Sequence, residues 1–410
     1  MKKILALLLA VVMVLGMVAC ASKTEAPAET TTTEPAAETT TEETKTEEPA
    51  KEEAATEEQP TEGVIQKVAL VTDVGTIDDE SFNQATWQGV KAYCEANGIE
   101  YTYYQPTEDS TDARCISIDQ AIKEGANVVV MPGYLFGGSI VREQEKYPEV
   151  YFIAVDVGAG DLTEDYATYY DPAKNVVCAT FAEEQAGYLA GYAVVMDGYT
   201  KLGFLGGMAV PAVIRYGYGF VQGCNDAGKE MNDEITVEYV YGNKFAGTPE
   251  ITAYMDTWYQ EKGVQVVFAC GGGIYTSAAE AAAKVGAKVI GVDVDQAGII
   301  DGDYGEGMTV TSAMKGLGAT VKATLKDVIE NGNWANYGGK IATLGLVSGD
   351  DPELNYVQIP MESTQWTDTF TKDDYKALVK SMFDGTVKVS DDTSAMPAHS
   401  IIVNEYDNIM

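Results

Sequence analysis

Val68-Ala-Leu-Val-Thr-Asp73-Val-Gly75-Thr-Ile-Asp78-Asp79-Glu-Ser81-Phe82-Asn83-Gln-Ala-Thr-Trp87 is the stretch on which the reading of this chain turns. Its apolar and β-branched residues 68–72 predict a short, fully buried strand. An acidic, glycine-containing loop follows, and a helix begins near Ser81. In an open parallel sheet, the loop leaving the carboxyl end of a strand faces the ligand crevice. Asp73 is therefore expected at the crevice floor, with Phe82 and Asn83 at its wall beside the free N–H groups of a helix start. A carboxylate that accepts from hydroxyls, an amide and a ring that stacks suit a small, flat, polar molecule. Phe82 also has a plainer reading, as a hydrophobic staple at the helix entrance.

Strand–helix alternation continues outward from this stretch. Residues 100–104, 128–131 and 150–155 read as strands, alternating with helices at 81–97, 109–124 and 140–147. The helix at 109–124 carries Cys115, Ile116, Ile118, Ala121 and Ile122 as its apolar stripe. The pattern restarts with a helix at 181–196, whose small residues Ala186, Gly187, Ala190 and Gly191 suit close packing. Strands at 201–205, 235–241, 264–269 and 287–292 then alternate with helices at 213–231, 251–262 and 278–285. Residues 309–312 read as a strand leading into a helix that carries Lys315. Late elements are a strand at 338–346, a helix at 372–381 and a strand at 400–403. Alternation with short loops implies an α/β fold whose parallel sheets carry helices on both faces. Two such halves in tandem imply two lobes facing a cleft.

Ahead of this domain, Met1-Lys2-Lys3, the apolar residues 4–18 and the sequence Met17-Val18-Ala19-Cys20 read as a secretory leader, too short to be taken for a membrane span. Residues 1–19 resemble a bacterial lipoprotein signal, in which Cys20 becomes the lipidated first residue. An ordinary cleaved signal with a coincidental cysteine is the alternative. Acyl chains contribute roughly 0.8 kcal/mol per buried CH₂, so several on one cysteine would hold the protein at the membrane. The rest of residues 20–62 is almost all Thr, Glu, Ala and Pro, a composition that cannot bury a core and predicts a disordered tether. As a flexible coil its ends would average about 35 Å apart. A docking tail for a basic partner is the other reading of so acidic a run.

Thirteen glutamates against three lysines put −10 on residues 21–62 and the leader lysines add +2, which leaves −28 of the total −36 on residues 63–410. So acidic a domain excludes a nucleic-acid-binding role. Beyond Cys20 stand Cys94, Cys115, Cys178, Cys224 and Cys270, odd in number and without metal-ligand spacing, so buried free thiols are expected.

Asp73, Asp156 and Asp293 each directly follow an apolar strand, and Gly206-Gly207 and Gly271-Gly-Gly273 stand at two other strand ends. Glycine there lets backbone approach a ligand or adopt positive φ, or simply makes a tight turn. A lone aspartate at a strand end can equally cap the next helix. Three carboxylates at three strand ends, in a chain without catalytic furniture, point to a polyol-binding site. Lys315 is either a solvated helix lysine or, beside the Asp293 loop, a group that orients that carboxylate or donates to a ligand.

Several segments in order resemble the basic membrane protein (PnrA-like) family, lipoprotein substrate-binding proteins of nucleoside ABC transporters. They are Asp78-Asp79-Glu80-Ser81-Phe82-Asn83-Gln84, Phe204-Leu-Gly206-Gly207 and Gly219-Phe220 through Gly223. Phe268-Ala-Cys-Gly-Gly-Gly273, Ile290-Gly-Val-Asp293-Val-Asp295-Gln296 and Thr311-Ser312-Ala-Met-Lys315 complete the set, across residues 66–345. The resemblance implies a type I periplasmic-binding-protein fold, two Rossmann-like lobes joined by crossover strands and closing on a ligand. The lobes are expected at about 64–175 with 303–345 and at 176–302 with 346–410. It also implies an extracytoplasmic protein, lipid-anchored to the cell membrane, that serves an ABC permease and needs no cofactor. A purine nucleoside would lie with its base between two rings and its ribose hydroxyls on carboxylates. By position Phe82 is one ring and Tyr241 the other, with Phe245 in reserve. Asp73 lies near the base, Asp293 takes ribose hydroxyls with Lys315 beside it, and Asn83, Asp156 and Gly272 line the pocket. The chain departs from the family at Val74, where an asparagine assisting base recognition is expected, and at Tyr275 and Arg215.

Two other readings remain. A binding protein for another small ligand, such as a sugar, signal molecule or amino acid, keeps the fold and loses only the base sandwich. A nucleoside hydrolase would explain the acidic loop after the first strand, but that loop needs a further aspartate where Val71 stands. His399, the chain's one histidine, lies outside any motif.

Overall fold

A computed structural model describes residues 65–409. The leader, Cys20 and the acidic tether expected at 20–62 lie outside the described residues. The first half runs β1 (Lys67–Val71), α1 (Phe82–Asn97), β2 (Glu100–Tyr104), α2 (Thr111–Lys123), β3 (Val128–Pro132), α3 (Gly137–Lys146), β4 (Tyr151–Val155) and β5 (Val176–Phe181). The chain then crosses into the second half with α4 (Glu183–Met196), β6 (Lys201–Gly206), α5 (Pro211–Met231), β7 (Thr236–Tyr241), α6 (Pro249–Thr257), β8 (Val266–Cys270), α7 (Tyr275–Ala283), β9 (Lys288–Asp293), α8 (Ala297–Tyr304) and β10 (Thr309–Lys315). Helix α9 (Leu317–Asn331) and β11 (Lys340–Leu344) return to the first half. Strand β12 (Val357–Gln358), α10 (Lys372–Phe383) and β13 (Ile402–Glu405) complete the second.

The first sheet has the order β11-β5-β4-β3-β1-β2 and is parallel throughout; the second has the order β12-β10-β9-β8-β6-β7-β13, with only the β10–β12 pair antiparallel. Strands β1, β3, β4 and β8 are buried along their whole length, as expected where helices cover both faces. Type I binding-protein architecture is therefore present, but the sheets divide the chain differently from the expected lobe limits. Residues 176–181, expected in the second lobe with a helix opening at Phe181, form β5 of the first sheet, between β4 and β11. Residues 309–315, expected in the first lobe, form β10 of the second, and Lys315 ends that strand rather than riding on a helix. A strand buried along nearly its whole length carries no mark of the sheet it will join. Its partners are chosen by hydrogen bonding to distant segments.

Helix α2 corrects another expectation. Its buried face is Ala113, Cys115, Ile118 and Ala121, while Ile116 is 66% exposed. Arg114 takes the inward place beside them, paired with Asp109 at 2.8 Å. The small-residue face of α4 packs as expected, and α5 answers it in kind. A Cβ on Gly187 or Gly191 would stand 2.1 or 2.4 Å from the backbone oxygens of Tyr216 and Phe220. One on Gly219 or Gly223 would stand 2.0 or 2.1 Å from those of Glu184 and Tyr188. Two glycines per helix, one turn apart, let the backbones touch. Cys94, Cys115, Cys178, Cys224 and Cys270 are buried and free.

Candidate ligand-binding site

A cavity of about 480 Å³ is lined from strand ends of both sheets. Asp73 follows β1, and its carboxylate is fixed by Gly75 N–H at 2.8 Å and the Asn83 amide at 3.0 Å. Gly133, at φ 116°, leaves room for it: a Cβ there would lie 2.8 Å from the Asp73 carboxylate. Asp73 does not cap α1. Asp79 does, accepting from the backbone N–H groups of Ser81, Asn83 and Gln84 at 2.9–3.0 Å. The Asn83 and Gln84 N–H groups of the helix start are thus already taken by the protein. Asn83 donates to Asp73 and Asp79 together, which orients both carboxylates, and its buried Oδ1 has no hydrogen-bond partner. Burial pushes both carboxyls above the usual carboxylate range despite these bonds.

Lys315 is the charge centre of the cavity. Its ammonium pairs with Asp156 at the end of β4, with Glu183 Oε1 at 3.4 Å and with Asp293 Oδ1 at 3.5 Å. The rings of Phe82, Tyr216 and Phe181 surround it at 4.8, 5.6 and 5.8 Å from their centroids. Burial alone would lower the lysine, but the three carboxylates outweigh it and hold the ammonium above the ordinary range. Burial also raises Asp156, and its Oδ1 has no hydrogen-bond partner. In Glu183 the burial effect is outweighed by Lys315 and by Arg215, whose Nε donates to Glu183 Oε2 at 2.6 Å, so its carboxyl lies below its ordinary value. Asp156 and Asp293 share one uncommon backbone conformation, with φ of 59° and 65°. Each ends an apolar strand, one per sheet, and turns its carboxylate toward the same cation.

Of the residues nominated from sequence, Asp73, Phe82, Asn83, Asp156, Gly272, Asp293 and Lys315 all line this cavity; Tyr241 does not. The Tyr241 ring lies over Gly206 and its hydroxyl bonds that of Tyr239 at 3.0 Å. Phe245 lines the cavity instead. Its ring rests on Gly207 and Gly271, where a Cβ would come within 2.5 and 2.9 Å of the ring, and its carbonyl would meet a Cβ on Gly272 at 2.9 Å. The glycines at these strand exits therefore make room for a ring. Sequence reasoning also missed Glu183, hidden by the misread β5, and Asp79, which the capping pattern before α1 could have revealed. Arg215 and Val74 line the cavity as well; Tyr275 is buried outside it.

The profile of the family described as "ABC transporter substrate-binding protein PnrA-like" matches residues 65–389. The chain belongs to that family. Among relatives of this PnrA-like chain, the ABC transporter nucleoside-binding protein BmpA of Lactococcus lactis is 29% identical over 302 residues, 69% of this chain and 80% of the relative. Basic membrane protein A1 of Borrelia garinii is 25% identical over 334 residues, 78% of this chain and 93% of the relative. Solved ABC transporter solute-binding proteins share the fold. One from Conexibacter woesei has a TM-score of 0.60 at 20% identity, covering 80% of this chain and 99% of that one. One from Aeropyrum pernix has 0.59 at 21%, covering 79% and 87%. As a PnrA-like protein the chain is a substrate-binding component, not an enzyme, with a small-molecule ligand and a transporter permease as partners. No helix among the described residues is long and apolar enough to cross a membrane.

Proposed function

We propose that this protein captures purine nucleosides outside the cell membrane, held there by lipid on Cys20, and delivers them to its permease. The observation that carries the reading is that Phe82 and Asp293, far apart in sequence, line one cavity together with Phe245, Asp73 and Asp156. The base would lie between Phe82 and Phe245. Stacking of this kind contributes about 1–3 kcal/mol per base and tolerates base identity. Ribose hydroxyls would donate to Asp293 and to the unpartnered Oδ1 of Asp156. An analogue without those hydroxyls would leave buried acceptors unpaired, which gives discrimination. Asp73 is held for the base edge by Gly75 and Asn83, and Val74 offers no amide to assist it. The nucleoside-binding name of the Lactococcus lactis relative supports the same class of ligand.

Calorimetry with adenosine, inosine, guanosine, cytidine and ribose, alongside chromatography for released base, tests this. Purine nucleosides should bind, ribose should not, no base should appear, and Phe82→Ala should weaken binding. Ribose binding as well as the nucleosides would favour a sugar receptor, and base release a hydrolase. For the anchor, labelled palmitate should be incorporated by the full chain and lost in Cys20→Ala.

A further inference from the structure

Among the described residues, three polar ties join the two halves around the cavity, beside the contact of Lys315 with the Phe82 ring. One is the Lys315–Asp156 pair already described. The other two join the turn before α1 to the turn after β9. Ser81 Oγ donates to Asp293 Oδ2 at 2.7 Å, and the Gln296 amide donates to the Glu80 carbonyl at 3.0 Å. We infer that Gln296 and Ser81 form a latch that holds the two halves together without help from a ligand, with Gln296 as its positioning residue.

Gln296 is suited to the task because both the oxygen and the nitrogen of its side-chain amide are engaged. It is fully buried, its Oε1 accepts from Val292 N–H at 2.9 Å, and its own N–H donates to Ser312 Oγ at 3.2 Å. Those bonds anchor it to β9 and β10 of the second half, so its Nε2 is aimed and not free to rotate. A Cβ on Gly291 would lie 2.9 Å from Gln296 Cβ, so glycine at 291 makes space for this side chain. Its target, Glu80, has φ of 52°, an uncommon conformation for a residue with a side chain. Glu80 N–H is in turn held by Gln84 Oε1 at 2.9 Å, the first turn of α1. The next two residues along are Ser81, the other tie, and Phe82, the ring of the cavity wall. Gln296 does not line the cavity. It therefore acts on the position of Phe82, and on the approach of Asp293, without touching a ligand.

This has a defined energetic meaning. A contact made only in the joined state raises the population of that state before any ligand arrives, and so raises the apparent affinity for every ligand by the same factor. One hydrogen bond of this kind corresponds to roughly a threefold to tenfold change. The inference does not depend on which ligand the cavity takes.

The test uses the ligand-free protein. Spin labels on Gln120→Cys in α2 and Ala253→Cys in α6, both exposed, report the distance between halves in a Cys20→Ala background, the native cysteines among the described residues being buried. The parent should show a short-distance population. Gln296→Met and, separately, Ser81→Ala should each move it toward longer distances by roughly that threefold to tenfold shift, with thermal unfolding confirming that both variants fold. Ser81→Ala keeps the lobe-2 turn whole and so covers the case in which Gln296→Met disturbs it. Distance distributions that superimpose on the parent in both variants would overturn the inference, as would a parent with no short-distance population at all.

Discussion

Lys315 and Asp156 stand on different sheets and meet as a buried ion pair at the cavity wall. The lysine simultaneously serves Glu183 and Asp293, so it neutralises carboxylates from both halves and the crossover between them. Removing it leaves the buried Asp156 without a cationic partner, while Glu183 keeps Arg215 and Asp293 keeps the Ser81 hydroxyl. Lys315→Met is expected to cost about 3–5 kcal/mol at pH 8, the usual loss when one partner of a buried pair is deleted. The loss should shrink toward pH 5, where Asp156, whose carboxyl burial already raises, takes up a proton. Urea unfolding at both pH values checks this, and an unchanged midpoint at pH 8 would show that the network is solvated.

Glu184 gives the fold a pH dependence of a definite sign. Burial at the start of α4 pushes its carboxyl up to about 7, and its Oε2 has no hydrogen-bond partner. The folded state thus binds this proton more tightly than the unfolded chain. The associated stability is complete below the ordinary glutamate range and is lost as pH rises through about 7. The total is up to about 3 kcal/mol. Unfolding free energy should therefore fall between pH 5 and 8, with Asp156, also raised, adding in the same direction. Glu184→Gln should flatten that slope. A variant with the parent's slope would assign it elsewhere.

Phe245 and Tyr241 are expected to separate in function, since only Phe245 lines the cavity. Phe245→Ala removes a ring from the cavity wall and should weaken nucleoside binding by between about fivefold and a hundredfold, the worth of one stacked base. Tyr241→Phe deletes only a hydroxyl bonded to Tyr239 and should leave affinity within about twofold. Calorimetry on the two variants with the same nucleoside decides it; the reverse ranking would restore Tyr241 as the second ring.

The contact of α4 with α5 should tolerate no side chain at its glycines. In Gly219→Ala the new methyl would stand 2.0 Å from the Glu184 carbonyl oxygen, so the helices must separate. A loss toward the upper end of the 1–3 kcal/mol range typical of overpacking is expected. An exposed glycine with open space, Gly298, serves as the comparison and should accept alanine without loss. Thermal melts of the two variants measure the difference.

Periodicity alone delivered the α/β class, nearly all the strands and helices, and the three aspartates that end strands, because burial pattern and turn chemistry are local properties of the chain. Strand-end chemistry together with the family resemblance supplied seven residues that line the cavity. A leader and an acidic tether are likewise expected from composition, in residues outside those described. What required the tertiary structure were matters of partnership. Buried β5 and β10 could pair in either sheet, and only hydrogen bonding to β4, β11 and β9 decided it. Tyr241 and Phe245 are both rings near the end of β7, but one covers Gly206 and the other Gly207, and adjacent residues of a strand face opposite ways. One ring therefore stays with the core while the other reaches the cavity. Lys315 looked solitary because its three carboxylates lie more than twenty residues away along the chain, and Gln296 looked ordinary because its target is a backbone carbonyl across the cleft. Side-chain identity is local, whereas the electrostatic and hydrogen-bonding environment that gives it work is assembled only when distant segments meet.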